Sequence, residues 1–129
     1  MRAGLDTSVV VRLLVGEPVP LAESARRLLD TPGPAAVSDL VVGEAYFALR
    51  HHYRVPHADA LRALRALLGD ARIETTGVAR EVLAAALEAD SPPGFMDRLI
   101  HGDYRRDGVP VMTFDRAAAR LPGATLVAD

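Results

Sequence analysis

The chain has 129 residues, half of them hydrophobic, which is enough for one well-packed core and too few for two. We therefore predict a single domain over residues 1–129. Cysteine is absent, which excludes disulfides and thiolate zinc sites and favours an intracellular location. All 15 basic residues are arginine, and the net charge of -2 gives no overall preference for nucleic acid.

No part of the sequence predicts a membrane segment. The first six residues lack the apolar core of a signal peptide, and no apolar run approaches the roughly 18 residues that a membrane-spanning helix needs. We expect a soluble, cytoplasmic protein without a membrane partner.

A short apolar strand from the first residues ends at Asp6, directly before a helix that continues through Leu14. Thr7 or Ser8 can accept a hydrogen bond from the free amides at the start of this helix. Open α/β sheets place their chemistry at the carboxyl ends of strands, so Asp6 is a candidate site residue. It could equally serve only as a helix cap.

The rest of the chain alternates helical and strand patterns. Helices are predicted at about 21–29, 39–53, 56–69, 76–86, 95–105 and 116–121, and strands at 35–37, 71–74, 109–114 and 125–127. Because short, almost continuously apolar strands are separated by helices, we predict an α/β fold with a mostly parallel sheet covered on both faces.

Two acidic residues occupy unexpected positions on predicted helices. Helical spacing places Glu44 within the apolar stripe that includes Val41 and Ala45, and Asp97 on the stripe that includes Ile100. A buried carboxylate normally has a cation, a cluster of donors or a cleft beside it. An arginine partner, or a place at the edge of the stripe, would also explain Glu44.

A second apolar strand ends as the first one does, at Asp115. Strand alternation places Thr113 on the same side as Asp115, so the hydroxyl can support the acid. In a parallel sheet the ends of the first and fourth strands can be neighbours where the strand order reverses, and Asp6 and Asp115 would then face each other.

Together these acids predict a metal site. Four carboxylates in one cleft repel one another unless cations neutralise them, and ligands that are all oxygen select a hard cation such as Mg²⁺ or Mn²⁺. The four are Asp6, Glu44, Asp97 and Asp115.

Four motifs, taken in order and spacing, resemble the PIN domain nucleases, and specifically the VapC toxins of bacterial toxin–antitoxin pairs. They are Leu5–Ser8, Ser38–Ala45, Phe95–Ile100 and Gly108–Asp115. The resemblance covers essentially the whole chain. It implies a three-layer PIN-like fold, in which helices flank a central, mostly parallel sheet of about four to five strands.

The resemblance also implies a function. Such a toxin hydrolyses RNA phosphodiester bonds with Mg²⁺ or Mn²⁺, is held by a cognate antitoxin protein and forms a homodimer. The family's acidic residues correspond to Asp6, Glu44, Asp97 and Asp115. We expect Asp6 and Asp97 to be the main metal ligands and Asp115 to complete the site. Glu44 would hold a second ion or orient the attacking water, and Thr7 would support the site.

The sixth helix departs from the family pattern, because Arg98, His101 and Asp103 stand where small apolar residues are usual. The departure concerns substrate contacts. His101 lies one turn from Asp97 and could be a further metal ligand, although a histidine packed on a helix face is commoner. Asp103 lies about 120° round the helix from Asp97 and is not expected to share the site.

Two other functions fit parts of the pattern. A receiver-like or haloacid-dehalogenase-like phosphotransfer protein would also place an aspartate after the first strand. Both call for a lysine, which is absent here, and the latter would have a second aspartate where Ser8 stands. The other alternative is a catalytically silent PIN-fold module that binds a partner protein.

Overall fold

The computed structural model describes residues 2–128. Met1, which begins the predicted first strand, and Asp129, the end of the predicted domain, lie outside the described residues. The α-helices are α1 (Thr7–Val15), α2 (Val19–Leu29), α3 (Asp39–Phe47), α4 (His57–Leu68), α5 (Ala79–Glu88) and α6 (Phe95–Arg106). The strands are β1 (Ala3–Gly4), β2 (Ala35–Val37), β3 (Ile73–Thr75), β4 (Val111–Thr113) and β5 (Ala124–Leu126).

The predicted elements are present, and the α/β class with parallel strands is confirmed. Two short segments differ in type from the prediction. A π-helical turn over Ala48–His52 continues α3, and the helix predicted over 116–121 is a 3₁₀ turn over Ala118–Arg120. Across residues 2–128, no helix is both long and apolar enough to cross a membrane.

The strands form two sheets instead of the single central sheet that was expected. Within the described residues, β1, β2 and β3 pair in that order, and β4 pairs with β5 in a separate sheet. The amide of Leu5 donates to the carbonyl of Ala36 at 2.9 Å, whereas the amide of Val127 donates to the carbonyl of Thr113 at 2.7 Å. Within residues 2–128, β1 and β4 are therefore not hydrogen-bonded to each other, although their ends were considered as possible neighbours. Strand order depends on how the intervening helices pack, which the apolar pattern of single strands does not encode.

The core lies between the three-stranded sheet and the helices. Val37 of β2 is fully buried, as are Val10 of α1 and Leu64 of α4. Within residues 2–128 no polar or charged residue is buried. The expectation that Glu44 and Asp97 sit on core-facing stripes was therefore wrong.

The face of α6 that is buried is not the face on which the predicted apolar stripe lies. Phe95 and Leu99 are buried, whereas Ile100 is 50% exposed. A Cβ at Gly102 would lie 2.9 Å from Cγ2 of Val82, so this face packs closely on α5. The sequence of α6 offers apolar residues on two adjacent faces. Only its contacts with α3 and α5 decide which of them is buried.

The strand predicted over 109–114 was expected to be buried, and it lies largely at the surface. Met112 is 62% and Phe114 is 74% exposed. A two-stranded sheet has few neighbours to cover it, so apolar alternation alone does not ensure burial.

Candidate active site

Asp6 caps α1 with its own side chain. Its backbone is extended, with ψ at 176°, and its Oδ1 accepts hydrogen bonds from the Ser8 hydroxyl at 2.6 Å and from the Val9 amide at 3.3 Å. The expectation that Thr7 or Ser8 would be the cap was wrong, because the chain turns into the helix one residue earlier.

These two hydrogen bonds lower the pKa of Asp6 below its ordinary value, with the Ser8 hydroxyl the larger cause. Several nearby carboxylates without a neutralising cation would raise the pKa of Asp6 instead. The environment of Asp6 therefore favours its ionised form through local donors.

Thr7 connects the start of α1 to α3. Its hydroxyl donates a hydrogen bond of 2.9 Å to Oε1 of Glu44. Glu44 is exposed, so its carboxylate stands at the edge of the apolar face of α3 and not within it. The structure thus places Glu44 beside the residue that follows Asp6.

Asp97 lies in the first turn of α6, where a negative charge is favourable to the helix dipole, and it is exposed. The helix α6 contacts α3 through Met96 and Gly43, which are the sequence neighbours of Asp97 and Glu44. A Cβ at Gly43 would come within 2.9 Å of the methyl carbon of Met96. Glu44 and Asp97 are thus carried by helices that touch at the neighbouring residues.

Asp115 is placed differently from the other three acids. Its Oδ1 accepts a hydrogen bond of 2.9 Å from the Ala118 amide and so caps the 3₁₀ turn. The Thr113 hydroxyl accepts a hydrogen bond of 2.9 Å from the backbone amide of Asp115. The Thr113 hydroxyl therefore orders the backbone of Asp115, and among the described residues it makes no hydrogen bond to the Asp115 carboxylate.

The four acids fit a hard cation in ligand type but not in arrangement. All are exposed carboxylates, which suit Mg²⁺ or Mn²⁺. Within residues 2–128, however, no three acidic or histidine side chains are gathered closely enough to hold a metal ion. The helices that carry Asp6 and Asp97 both contact α3, which carries Glu44, while Asp115 follows β4 of the second sheet. Metal binding by these residues stays a prediction.

A groove of about 540 Å³ runs between α3 and α6, with Glu44 in its wall. Its lining includes Leu40, which is 75% exposed, and Phe47, which is 61% exposed. Asp103 also lines this groove and pairs with Arg106 at 3.1 Å. Asp97 is not among the residues that line the groove in the described part of the chain, so the expectation that Asp103 does not share the site of Asp97 stays a prediction. Asp103 lies near the groove because it is three to four residues from Leu99 and Ile100, which also line it.

His101 has a partner that the sequence did not reveal. Its Nε2 is hydrogen-bonded to the carbonyl of Pro122, which ties α6 to the turn before β5. This bond fits a histidine that packs on the helix face, and a metal-ligand role for His101 stays a prediction.

Asp39 is a structural acid that the sequence analysis did not single out. Ser38 caps α3 as predicted, accepting from the Val41 amide at 3.3 Å. Asp39 instead caps the start of α5, where its carboxylate accepts from the amides of Val78 at 3.1 Å and Ala79 at 2.9 Å. It joins the ends of two helices at the rim of the groove.

Comparison with known proteins identifies the fold family. The model of the PIN domain matches residues 4–124, and the chain belongs to the PIN domain family. Members of this family are typically nucleases and are generally metal-dependent. The membership predicted from the four motifs is confirmed, which leaves the phosphotransfer alternative without support.

One solved structure among those similar to this chain is the VapC20 toxin of Mycobacterium tuberculosis, a sarcin-ricin loop cleaving toxin. The two chains are 21% identical, with a TM-score of 0.45 over 92% of each chain. No curated protein matches the chain significantly in sequence.

Proposed function

We propose that the protein is a metal-dependent endoribonuclease that acts as the toxin of a bacterial toxin–antitoxin pair and hydrolyses RNA phosphodiester bonds with Mg²⁺ or Mn²⁺. The PIN domain match over residues 4–124 carries the proposal. This range includes the four acids that the family motifs assign to catalysis, Asp6, Glu44, Asp97 and Asp115. The toxin role rests on the resemblance of the motifs to VapC toxins.

The surroundings of Asp6 and Glu44 support this assignment. The hydrogen bonds from Ser8 and Val9 lower the pKa of Asp6 and so favour the charged form that binds a cation. Thr7, the next residue, donates a hydrogen bond to Glu44. In the proposal Asp6 and Asp97 are the main metal ligands. Bound Mg²⁺ or Mn²⁺ would supply a water nucleophile at neutral pH and neutralise phosphate charge.

The composition supports water as the nucleophile. The chain has no cysteine and no lysine, and no serine and histidine have a spacing that suggests a covalent nucleophile. The proposed reaction is therefore a direct hydrolysis of the phosphodiester bond.

The proposed partners follow from the same resemblance. They are the RNA substrate, a cognate antitoxin protein and a second copy of this chain in a homodimer. The exposed apolar residues of the groove between α3 and α6 support a protein contact on this side of the molecule, because large exposed apolar patches usually mark binding sites.

The direct test is cleavage of a structured RNA by purified, antitoxin-free protein with Mg²⁺ and with EDTA. Asp6→Asn and Asp97→Asn are each expected to abolish cleavage. Asp6→Asn should leave the melting temperature almost unchanged, because asparagine caps a helix as well as aspartate does. Glu23→Gln, which changes an exposed acid on α2, is the matched control and should cleave normally. Cleavage that survives EDTA and both substitutions would contradict the proposal.

The arrangement of the acids favours a second candidate, a PIN-fold module that binds a partner without cleaving RNA. In the described residues the carboxylates are not gathered into a group of three. Calorimetric titration with Mn²⁺ separates the two candidates. The nuclease is expected to bind Mn²⁺ and to lose this binding in Asp6→Asn, whereas the silent module is expected to show no binding in either form.

A further inference from the structure

One segment of the chain concentrates positive charge and lacks negative charge. Residues 45–58 contain no aspartate or glutamate, which is the longest such stretch in the sequence. Three of the four histidines and two arginines lie within residues 50–57, which we call the basic turn. Its basic residues are Arg50, His51, His52, Arg54 and His57. The net charge of -2 for the whole chain does not reveal this local excess of basic residues.

The arginines of the basic turn are not neutralised by carboxylates. The ion pairs found in residues 2–128 use arginines elsewhere, for example on α4 and α6. Arg50 donates to the carbonyl of Val55 at 3.0 Å, and this bond holds the turn together. Arg54 is exposed and has no carboxylate partner among the described residues. Its charge is available to an external anion.

The backbone of the basic turn is unusual in two respects. The amide of Tyr53 donates to the carbonyl of Ala48 at 3.1 Å, which is a π-helical hydrogen bond. Arg54 has a φ of 56°, in the left-handed region that residues other than glycine rarely adopt. Strained positions of this kind are concentrated at functional sites.

Aromatic rings flank the histidines. The ring of His51 lies 4.4 Å from that of Phe47, and the ring of His52 lies 4.7 Å from that of Tyr53. Phe47 is 61% exposed and also lines the groove beside Glu44. Exposed rings next to guanidinium and imidazole groups suit stacked bases and a phosphate backbone.

The basic turn lies a short distance along α3 from the acids. Thr7 contacts Glu44 at the start of α1, and Arg12 donates to the Tyr53 hydroxyl at 3.4 Å further along. The contacts occur in the same order on both segments, so α1 and α3 run side by side in the same direction. Seven residues separate Glu44 from His51, which corresponds to about 10 Å at 1.5 Å per helical residue.

From these observations we infer that the basic turn binds the sugar–phosphate backbone of RNA beside the acidic residues, with Arg54 as its main phosphate contact. The inference rests on the proposed function, because it assigns a substrate-binding surface to that site. A planar, always charged guanidinium suits phosphate oxygens, and the absence of acids over fourteen residues removes repulsion of the backbone.

The test is the binding of a fluorescently labelled RNA hairpin, measured by anisotropy in EDTA at several salt concentrations. Arg54→Gln keeps a polar side chain at the strained position and removes the charged guanidinium with its planar set of donors. It is expected to weaken binding several-fold and to reduce the salt slope by about 0.7, the value for one lost contact with single-stranded phosphate. Adding His51→Gln and His52→Gln should bring the loss to about tenfold. Arg65→Gln, an exposed arginine on α4, is the matched control and should change neither quantity.

Binding in EDTA is independent of cleavage, so the two proposals can fail separately. Weaker RNA binding by Arg54→Gln, together with no cleavage by the natural chain, would support the basic turn and contradict the nuclease. Cleavage that depends on Asp6, together with unchanged RNA binding by the triple variant, would overturn the inference alone. It would also be overturned if Arg65→Gln lost as much affinity as Arg54→Gln, or if the triple variant lost affinity only for the antitoxin protein.

Discussion

At the scale of single residues, the candidate site is organised by short polar contacts between α1 and α3. Asp6 caps its own helix, and hydrogen bonds from Ser8 and Val9 lower its pKa. The Thr7 hydroxyl then connects the start of α1 to Glu44 of α3. The contact of Thr7 with Glu44 joins residues that are 37 positions apart, and the proposed function gives Thr7 the role of positioning Glu44.

Thr7→Val removes the donor to Glu44 and keeps the shape of the side chain. If the proposed function holds, RNA cleavage should fall roughly tenfold to a hundredfold, the effect of a small misplacement of a catalytic group. Thr7→Ser restores the hydroxyl and should restore most of the activity. Single-turnover cleavage rates with Mg²⁺ measure both. Equal rates for Thr7→Val and Thr7→Ser would show that this hydrogen bond does not matter.

Asp70 and Arg72 give a pH dependence away from the site. The side-chain and backbone hydrogen bonds from Arg72 lower the pKa of Asp70 to about 2, from 3.8. A carboxylate with a lowered pKa stabilises the folded state above its unfolded pKa, and this contribution is lost as the pH falls through its folded pKa. The stability that Asp70 adds should therefore be complete above pH 3.8 and disappear toward pH 2.

Asp70→Asn tests this dependence. The variant should melt at a lower temperature than the natural chain near pH 6, and the difference should shrink as the pH falls below 3.8. Asp59→Asn is the control. Asp59 forms one ion pair with Arg62 between mostly exposed side chains, and such a pair adds little to the stability of the fold. Melting curves followed by circular dichroism between pH 2 and 7 measure the effect. A difference for Asp70→Asn that persists at pH 2 would contradict the assignment.

At the scale of elements, glycines set how closely α6 approaches its neighbours. A Cβ at Gly102 would meet Val82 of α5 at 2.9 Å and Val78, the residue before α5, at 3.1 Å. A Cβ at Gly43 would meet the end of Met96 at 2.9 Å. The valines are branched and stiff, whereas the methionine is flexible, so the two positions should tolerate a methyl group differently.

Gly102→Ala and Gly43→Ala form a matched pair inside helices. Each gains about 1 kcal/mol of helix propensity from the substitution. Overpacking against Val82 costs about 1–3 kcal/mol, so Gly102→Ala should be less stable by about 1 kcal/mol on balance. Gly43→Ala should be no less stable than the natural chain, because Met96 can move. Urea denaturation gives both values, and equal midpoints for the two variants would refute this account of the α5–α6 contact.

At the scale of the whole molecule, the groove between α3 and α6 combines exposed apolar side chains with the carboxylate of Glu44. The proposed antitoxin would place a segment at or beside this groove and present a basic side chain to the acids. A carboxylate that lacks its metal is a good receptor for arginine or lysine. The double variant Asp6→Asn, Glu44→Gln should therefore bind the cognate antitoxin at least about tenfold more weakly.

Titration calorimetry with the purified antitoxin measures this affinity. The double variant Glu23→Gln, Asp90→Asn removes the same number of exposed acids elsewhere and serves as the control. Unchanged affinity in the variant that lacks Asp6 and Glu44 would show that the antitoxin does not use these acids. Equilibrium sedimentation of the free protein measures the proposed homodimer separately.

The sequence predicted most of the elements, because helix and strand periods, caps and turns are local. Ser38 caps α3 as expected, and β2 lies where the short apolar run placed it. The π-helical turn was missed, since residues 39–53 have an unbroken helical pattern. The basic turn was missed as well, because total charge was considered and local charge was not.

The sequence by itself determined the α/β class, the six α-helices and the motifs that identify a PIN domain, because these depend on residue types at short or fixed spacings. Only the tertiary structure decided which face of α6 is buried, which strands pair and which residue contacts Glu44. Glu44 meets Thr7 because α1 packs on α3, while Asp115 follows β4, which pairs with β5 in the second sheet. Such contacts depend on how elements that are distant in the sequence pack together. The same pattern of helices and strands is compatible with several ways of packing them.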